Sequence, residues 1–331
     1  MIFERKVAKR REIEMDHFIF SLNVTAPIFL VMVLGYALKQ ARILDENFVA
    51  VANRFNFTVT LPVMLFRDIS QVPIREIFDL RYVLFCAAAS TLCFWLIWGA
   101  SKLFLKDGSL RGAFVQASFR SSAAVMGLAF IDNIYGPSAM GPLMIIGAVP
   151  LYNIFSVIVL TFEAQEPGKG RDMKKIRQAF LGIIKNPIIL AIMLGLFSSV
   201  LGLSYPAILE SAADKVAQLA TPLALIALGA GFEGKSALAK IKPTIAASVI
   251  KLIIQPLVFL PVAIWLGFDG EKLIGILIML AAPTTPSCYI MAKNMKNDGE
   301  LTASVVVTTT LLAAFTLTVW IFILKMTGLI G

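Results

Sequence analysis

The chain has 331 residues, of which 58% are hydrophobic and 15% charged, with a net charge of +9 and a mean hydropathy of +0.81. Soluble domains carry about 25% charged residues, and no soluble core of this length buries so much apolar surface, so lipid must be the solvent for most of the chain. That excludes a soluble enzyme, and the positive charge, sitting in loops between apolar segments, serves orientation in the bilayer better than nucleic-acid binding.

Residues 1–17 form a charged N-terminal extension. Met15 is the expected natural start, and the extension has no small-residue cleavage site, so it does not read as a signal peptide. His17, the one histidine, sits just before the first apolar run and reads as an interfacial residue. Apolar runs then predict helices near 18–38, 46–66, 82–105, 112–134 and 139–162. After a polar stretch at 164–183, five more follow near 184–203, 207–232, 243–267, 272–294 and 301–326. Turn signals such as Lys106-Asp107-Gly108, Asp269-Gly270 and Asn297-Asp298-Gly299 separate them. The fold class is therefore an all-α polytopic membrane protein with ten transmembrane helices. Its organisation is a first five-helix repeat (18–163), a cytoplasmic loop (164–183) and a second five-helix repeat (184–331). Cys86, Cys93 and Cys288 lie in apolar stretches with no CxxC pair, so they read as small buried side chains and not as disulfides or metal ligands.

Loop charge fixes orientation. The loops after helices 1, 3, 5, 7 and 9 carry 16 Lys and Arg, against 10 on the opposite side with the N-terminus included. The first set is expected to be cytoplasmic and both termini to face out, although a basic N-terminus opposes translocation.

The two five-helix sets look like copies. Pro27 and Pro187 are each followed eight residues later by a glycine, Gly35 and Gly195. Pro62 and Pro222 each follow 35 residues after the first proline, and Asp107-Gly108 and Gly136 match Asp269-Gly270 and Gly299. The offsets are 160, 162 and 163. Because five is odd, the second copy must insert inverted, an arrangement characteristic of secondary transporters, which bind substrate near mid-bilayer where matching helices are broken.

Helix 4 carries Ser118-Phe119-Arg120-Ser121-Ser122-Ala123-Ala124, and its counterpart in helix 9 carries Ala281-Ala282-Pro283-Thr284-Thr285-Pro286-Ser287. Two prolines three apart predict a break in helix 9. The hydroxyls of Thr284, Thr285, Ser287, Ser121 and Ser122 can serve freed backbone groups or a ligand. Arg120 lies deep in an apolar segment, where a charge costs roughly 2.5–3.5 kcal/mol on insertion scales. It reads either as an anion ligand beside half-helix N-termini or as the partner of a buried acid such as Asp132. Arg54 and Asp214 occupy equivalent positions and either pair or both lie near helix ends, in structural roles. Lys251 either reaches the cytoplasmic interface or lines the cavity, and Asn56 is a further cavity candidate. The run Gly229-Ala230-Gly231-Phe232-Glu233-Gly234-Lys235-Ser236 has the spacing of a phosphate loop, but it lacks the strand–helix setting that motif needs. It is expected to end a membrane helix and let it pack closely. No HExxH, GxSxG or paired carboxylates mark an enzyme site.

The stretches APIFLVMVLGY, SFRSSAAVMGLAF, KNPIIL, ATPLALIALG and AAPTTPSCYI, with Leu61-Pro62 ending helix 2, resemble the auxin efflux carrier family, which includes bacterial malate and malonate permeases and plant auxin transporters. The resemblance covers the chain from Met15 onward. It implies two inverted halves with helices 4 and 9 broken and crossing at the site. Plant members carry Pro-Asn-Thr before Val-Met-Gly in helix 4, whereas here Ser121-Ser122-Ala123-Ala124 precedes Val125-Met126-Gly127. This departure argues against auxin and leaves the break in helix 4 to be tested. The short central loop is similar to that of bacterial members, which implies a bacterial cell membrane.

The expected function is alternating-access transport of a small organic anion, a carboxylate, bound by Arg120, Ser121, Ser122, Ala123, Pro283, Thr284, Thr285, Pro286, Ser287 and Asn56. No cofactor or metal is expected. Coupling to a proton or sodium ion, and a homodimer, stay open. A ligand sensor without transport is the alternative.

Overall fold

The computed structural model describes residues 19, 23, 26–72, 79–123, 131, 134–135, 140–164 and 180–330. The expected extension at 1–17, His17, Asp132, Gly136 and most of the central loop lie outside them, as does the part of helix 4 from Ala124 to Phe130. The described residues form helices and connecting turns, with no strand among them.

Five helices are long and apolar enough to cross a membrane: α2 (Glu46–Ser70), α3 (Leu80–Phe104), α5 (Met140–Glu163), α10 (Ile241–Trp265) and α13 (Gly299–Met326). α1 (Ala26–Gln40) and α6 (Pro187–Leu201) are shorter apolar helices. The remainder are pieces: α4 (Gly108–Phe119), α7 (Ala207–Gln218), α8 (Ala220–Ala230), α9 (Gly234–Ala239), α11 (Gly270–Ala281) and α12 (Ser287–Asn294). The chain is thus an integral membrane protein by the length and composition of its helices. Its outer surface agrees. On α6, Leu190, Met193, Leu194 and Phe197 are exposed at one-face spacing, and on α3 so are Leu84, Leu92 and Leu96. An apolar face of this extent on a folded chain marks contact with lipid or another apolar partner.

Proline explains the irregularity of two helices expected to be continuous. Helix 2 winds as a π segment over Asn56–Thr60, directly before Pro62. That proline lacks the N–H that would bond the Thr58 carbonyl, and its ring crowds the same oxygen. Helix 7, expected as one element over 207–232, is interrupted at Leu219 between α7 and α8. Gln218, the last residue of α7, stands four residues before Pro222, where the same donor is missing.

Glycines set the closest helix approaches. A methyl on Gly35 in α1 would strike the Ile226 backbone in α8, and one on Gly229 in α8 would strike the Met32 backbone in α1. A methyl on Gly195 in α6 would lie 3.1 Å from the Phe66 carbonyl oxygen in α2. Small residues allow this contact where no hydrophobic effect drives helices together. The phosphate-loop-like run accordingly ends α8 and contributes Gly229 to the crossing with α1. At the helix ends, Glu163 closing α5 accepts from Trp98 Nε1 of α3 (2.6 Å) and Arg111 Nη2 of α4 (2.5 Å). Asp214 lies 3.6 Å from Arg67, while Arg54 is exposed. Of the two readings of Arg54 and Asp214, pairing is not the one the structure shows: Arg67, on the other half of the helix that carries Arg54, faces α7.

Candidate functional site

Among the described residues, the ends of two short helices meet in the buried interior. α4 starts behind Asp107, whose carboxylate accepts from the backbone N–H groups of Ser109 (2.8 Å) and Leu110 (3.3 Å), satisfying two orphan donors of the first turn. It runs 12 residues and stops at Phe119, and Arg120 is extended (φ −81°, ψ 139°). α11 also runs 12 residues and stops at Ala281, where Ala282 is extended (φ −65°, ψ 150°). Pro283 explains the second stop, because a residue preceding proline is pushed out of the α region. Thr285 precedes Pro286 in the same way, and the chain re-enters a helix only at Ser287.

The first stop has no proline. It is held by the other chain segment: Ser122 N–H donates to the Pro283 carbonyl (2.9 Å), and Ser121 Oγ lies 3.3 Å from the Ala282 and Ile278 carbonyls. In return Thr284 Oγ1 donates to the Ala117 carbonyl (2.7 Å), and Gln255 Nε2 donates to the Ser118 carbonyl (2.5 Å). Carbonyls at the end of a helix have no partner within it. Each broken helix therefore finds donors on the other or on α10.

Beside the crossing lies a narrow, open cleft. Arg120, Ser121, Ser122, Thr285, Pro286 and Ser287 line it. α2 adds Leu61, Met64, Leu65 and Asp68; α5 adds Val149, Tyr152 and Asn153; α8 adds Ala220, Thr221 and Ala224. Arg120 is buried, at 5% exposure. Its Nη2 donates to Asn153 Oδ1 (2.7 Å) and its Nη1 lies against the Met291 sulfur. Both acceptors are neutral. Among the described residues no ion pair of Arg120 is recorded, and the candidate partner Asp132 lies outside them. Asn153 is oriented by donating its amide to the Val149 carbonyl (2.9 Å), which leaves its oxygen for the guanidinium.

The second charge in the wall is Asp68, whose carboxylate is compensated by Arg67 at 2.7 Å. Arg67 also lies 3.6 Å from Asp214, and no carboxylate among the described residues stands within ion-pair distance of Arg120. The N-terminus of α12, with Thr285 Oγ1 and Ser287 Oγ 3.2 Å apart at its mouth, adds a positive dipole end and hydroxyl donors. Such an arrangement suits an anion: a fork of guanidinium donors, two hydroxyls and a helix N-terminus.

The structure brings six of the ten expected site residues to the cavity wall and places four elsewhere. Ala123 is fully buried, and Pro283 offers its carbonyl to Ser122. Thr284 is turned into the crossing, bonding Ala117 and Thr309. Asn56 is also outside the wall. Its Nδ2 donates to the Ala220 carbonyl (2.8 Å) and its Oδ1 accepts from Thr60 (2.8 Å), so it ties the irregular point of α2 to the start of α8. Sequence reasoning missed Asn153, Tyr152 and Asp68. A buried asparagine one turn past Pro150 was the available signal for the first. Lys251 reaches neither the interface nor the cavity: it is fully buried and donates to the Leu280 carbonyl (2.7 Å) at the end of α11.

Residues 20–321 match a family described as membrane transport protein. The chain is 25% identical over 313 residues to the putative malonate transporter of Rhizobium meliloti, covering 92% of this chain and 95% of the relative. It is 24% identical over 282 residues to the uncharacterized transporter YfdV of Escherichia coli, covering 82% and 88% respectively. An uncharacterized transporter of Methanothermobacter thermautotrophicus is 22% identical over 310 residues, covering 93% and 99%.

Proposed function

We infer that this chain, which belongs to the membrane transport protein family, that of the auxin efflux carriers, is a secondary transporter that carries a small carboxylate across the plasma membrane by alternating access. The observation that carries the reading is Arg120: a guanidinium in the cavity wall, opposed by neutral acceptors only among the described residues, beside the N-terminus of a half-helix. Burying a charge at such a place is expensive, and a substrate carboxylate supplies the missing counter-charge in a geometry that a guanidinium matches with two parallel bonds. The name of one relative, putative malonate transporter, agrees in chemical class.

The reading includes ten spans in two inverted halves. Contacts across the molecule support it. Gly35 meets Ile226, and Gly195 meets Phe66; both residues of each contact map onto the other contact by the same shift of 160. α4 and α11 have equal length and start and stop 162 residues apart. The π segment of α2 and the interruption at Leu219 also coincide under the shift of 160. In folds of this kind one half rocks against the other around a fixed site. Membership of a transport family supports reading Arg120 as a substrate-binding residue.

Counterflow tests the function. Purified protein in proteoliposomes loaded with unlabelled malonate, and in parallel with other two- to five-carbon mono- and dicarboxylates, should accumulate the labelled counterpart. A carboxylate that binds without exchanging would make the protein a receptor. Topology is tested by single cysteines at positions 42, 242 and 272. The first two should react with an impermeant reagent from one face and the third from the other, and separation of 42 from 242 would remove the inverted repeat.

A further inference from the structure

Lys251 and Gln255 stand one turn apart on α10, and each donates to the end of a broken helix. Lys251 Nζ bonds the Leu280 carbonyl of α11 at 2.7 Å, and Gln255 Nε2 bonds the Ser118 carbonyl of α4 at 2.5 Å. Leu280 and Ser118 are 162 residues apart and hold the same place in the two half-helices. A neutral amide suffices for α4. At α11 the donor is the Lys251 amine, 0% exposed, in the π segment Ile250–Ile254. Two further oxygens accept from it, the Met279 carbonyl and Gln255 Oε1, each at 3.4 Å. Among the described residues no ion pair of Lys251 is recorded.

A buried ammonium without a carboxylate costs several kcal/mol relative to water, and a hydrogen bond alone does not call for it. The negative end of a helix dipole together with converging carbonyl oxygens does. In transporters built from discontinuous helices, such C-terminal ends are where free cations are coordinated. Carbonyl oxygens can replace the hydration shell of a monovalent ion.

We propose that the carbonyls of Met279 and Leu280 with Gln255 Oε1 form a monovalent-cation site, and that the Lys251 ammonium is its tethered occupant. The wild-type protein then needs no free cation there. Removing the side chain beyond Cβ opens a site for a small primary ammonium ion or K⁺. Pro256 follows this π segment at the spacing at which Pro62 follows that of α2, and the i, i+4 spacing puts Lys251 and Gln255 on one face of α10.

The test is thermal unfolding of detergent-purified wild type, Lys251→Ala and Lys251→Met. Each is titrated with propylammonium, K⁺ or Na⁺ chloride against choline chloride at constant ionic strength, with propan-1-ol as the neutral analogue of the deleted fragment. Lys251→Ala should melt below wild type in choline and return toward the wild-type Tm, saturably, with propylammonium or K⁺ but not with propanol. Wild type should not respond, and Lys251→Met, which fills the space without charge, should be lowered and not rescued. Should Lys251→Ala not fold in choline, recovery of folded protein by solubilisation in propylammonium supports the site, and no recovery in any cation overturns it. The proposal also falls if Lys251→Met is as stable as wild type, or if Lys251→Ala responds to propanol as it does to propylammonium. The readout is stability, so its outcome is separate from that of the carboxylate reading.

Discussion

Replacing Arg120 with alanine separates binding from folding. In the free protein, deletion removes a charge whose insertion costs roughly 2.5–3.5 kcal/mol. It leaves Asn153 Oδ1, now bonded at 2.7 Å, without its donor, at about 1–3 kcal/mol. The two terms oppose each other and nearly cancel, so Arg120→Ala is expected to insert and to melt close to wild type. In the complex the same deletion strands a buried carboxylate. Truncating one member of a buried, hydrogen-bonded charge pair costs about 2–5 kcal/mol, and at about 1.4 kcal/mol per tenfold the affinity should fall about 30- to 4,000-fold. Arg120→Lys keeps the charge but loses the planar fork, and should fall in between. Isothermal titration of purified protein with malonate and with mono- and dicarboxylates of similar size measures this directly. A folded Arg120→Ala that binds within threefold of wild type would refute the assignment of Arg120 to the substrate.

Asn153→Asp places a carboxylate where the neutral oxygen now meets the guanidinium. It should hold or raise the Tm while weakening carboxylate binding at least as much as Arg120→Ala, because the site then carries its own anion; undiminished binding in a titration would contradict the geometry. Glu163→Gln breaks the contact among α3, α4 and α5. Losing a buried ion pair costs about 3–5 kcal/mol, and with Arg111 19% exposed we expect a loss of about 2–3 kcal/mol, read as a lower Tm. Gly35→Ala drives a methyl into the Ile226 backbone and should cost about 1–3 kcal/mol. Gly99→Ala meets nothing within 4 Å and should be neutral or stabilising by about 0.5–1 kcal/mol; equal melting shifts for the two would sink the close α1–α8 crossing.

Much of this molecule could be read from residue order alone, because its signals are local. Apolar run length dictates spanning helices in any fold. Pro283 and Pro286 break helix 9 by their own covalent geometry, wherever the helix packs. Arg120 announces itself by its cost in an apolar segment, and the proposed repeat rests on matched prolines and glycines. Other features depend on neighbours distant in sequence. No residue of helix 4 near Arg120 compels a stop. The stop exists because Ser121 and Ser122 find carbonyls on the segment around Pro283, some 160 residues away. Asn56 and Thr284 look like cavity side chains until their partners, the Ala220 and Ala117 carbonyls, turn them to structural use, and the identity of the residue facing Asp214 was decided by packing of α7 against α2. Steric and solvation constraints act within a few residues and are legible in the chain. Hydrogen-bond partnership across a membrane protein core is a property of which helix ends meet, and only the assembled bundle decides that.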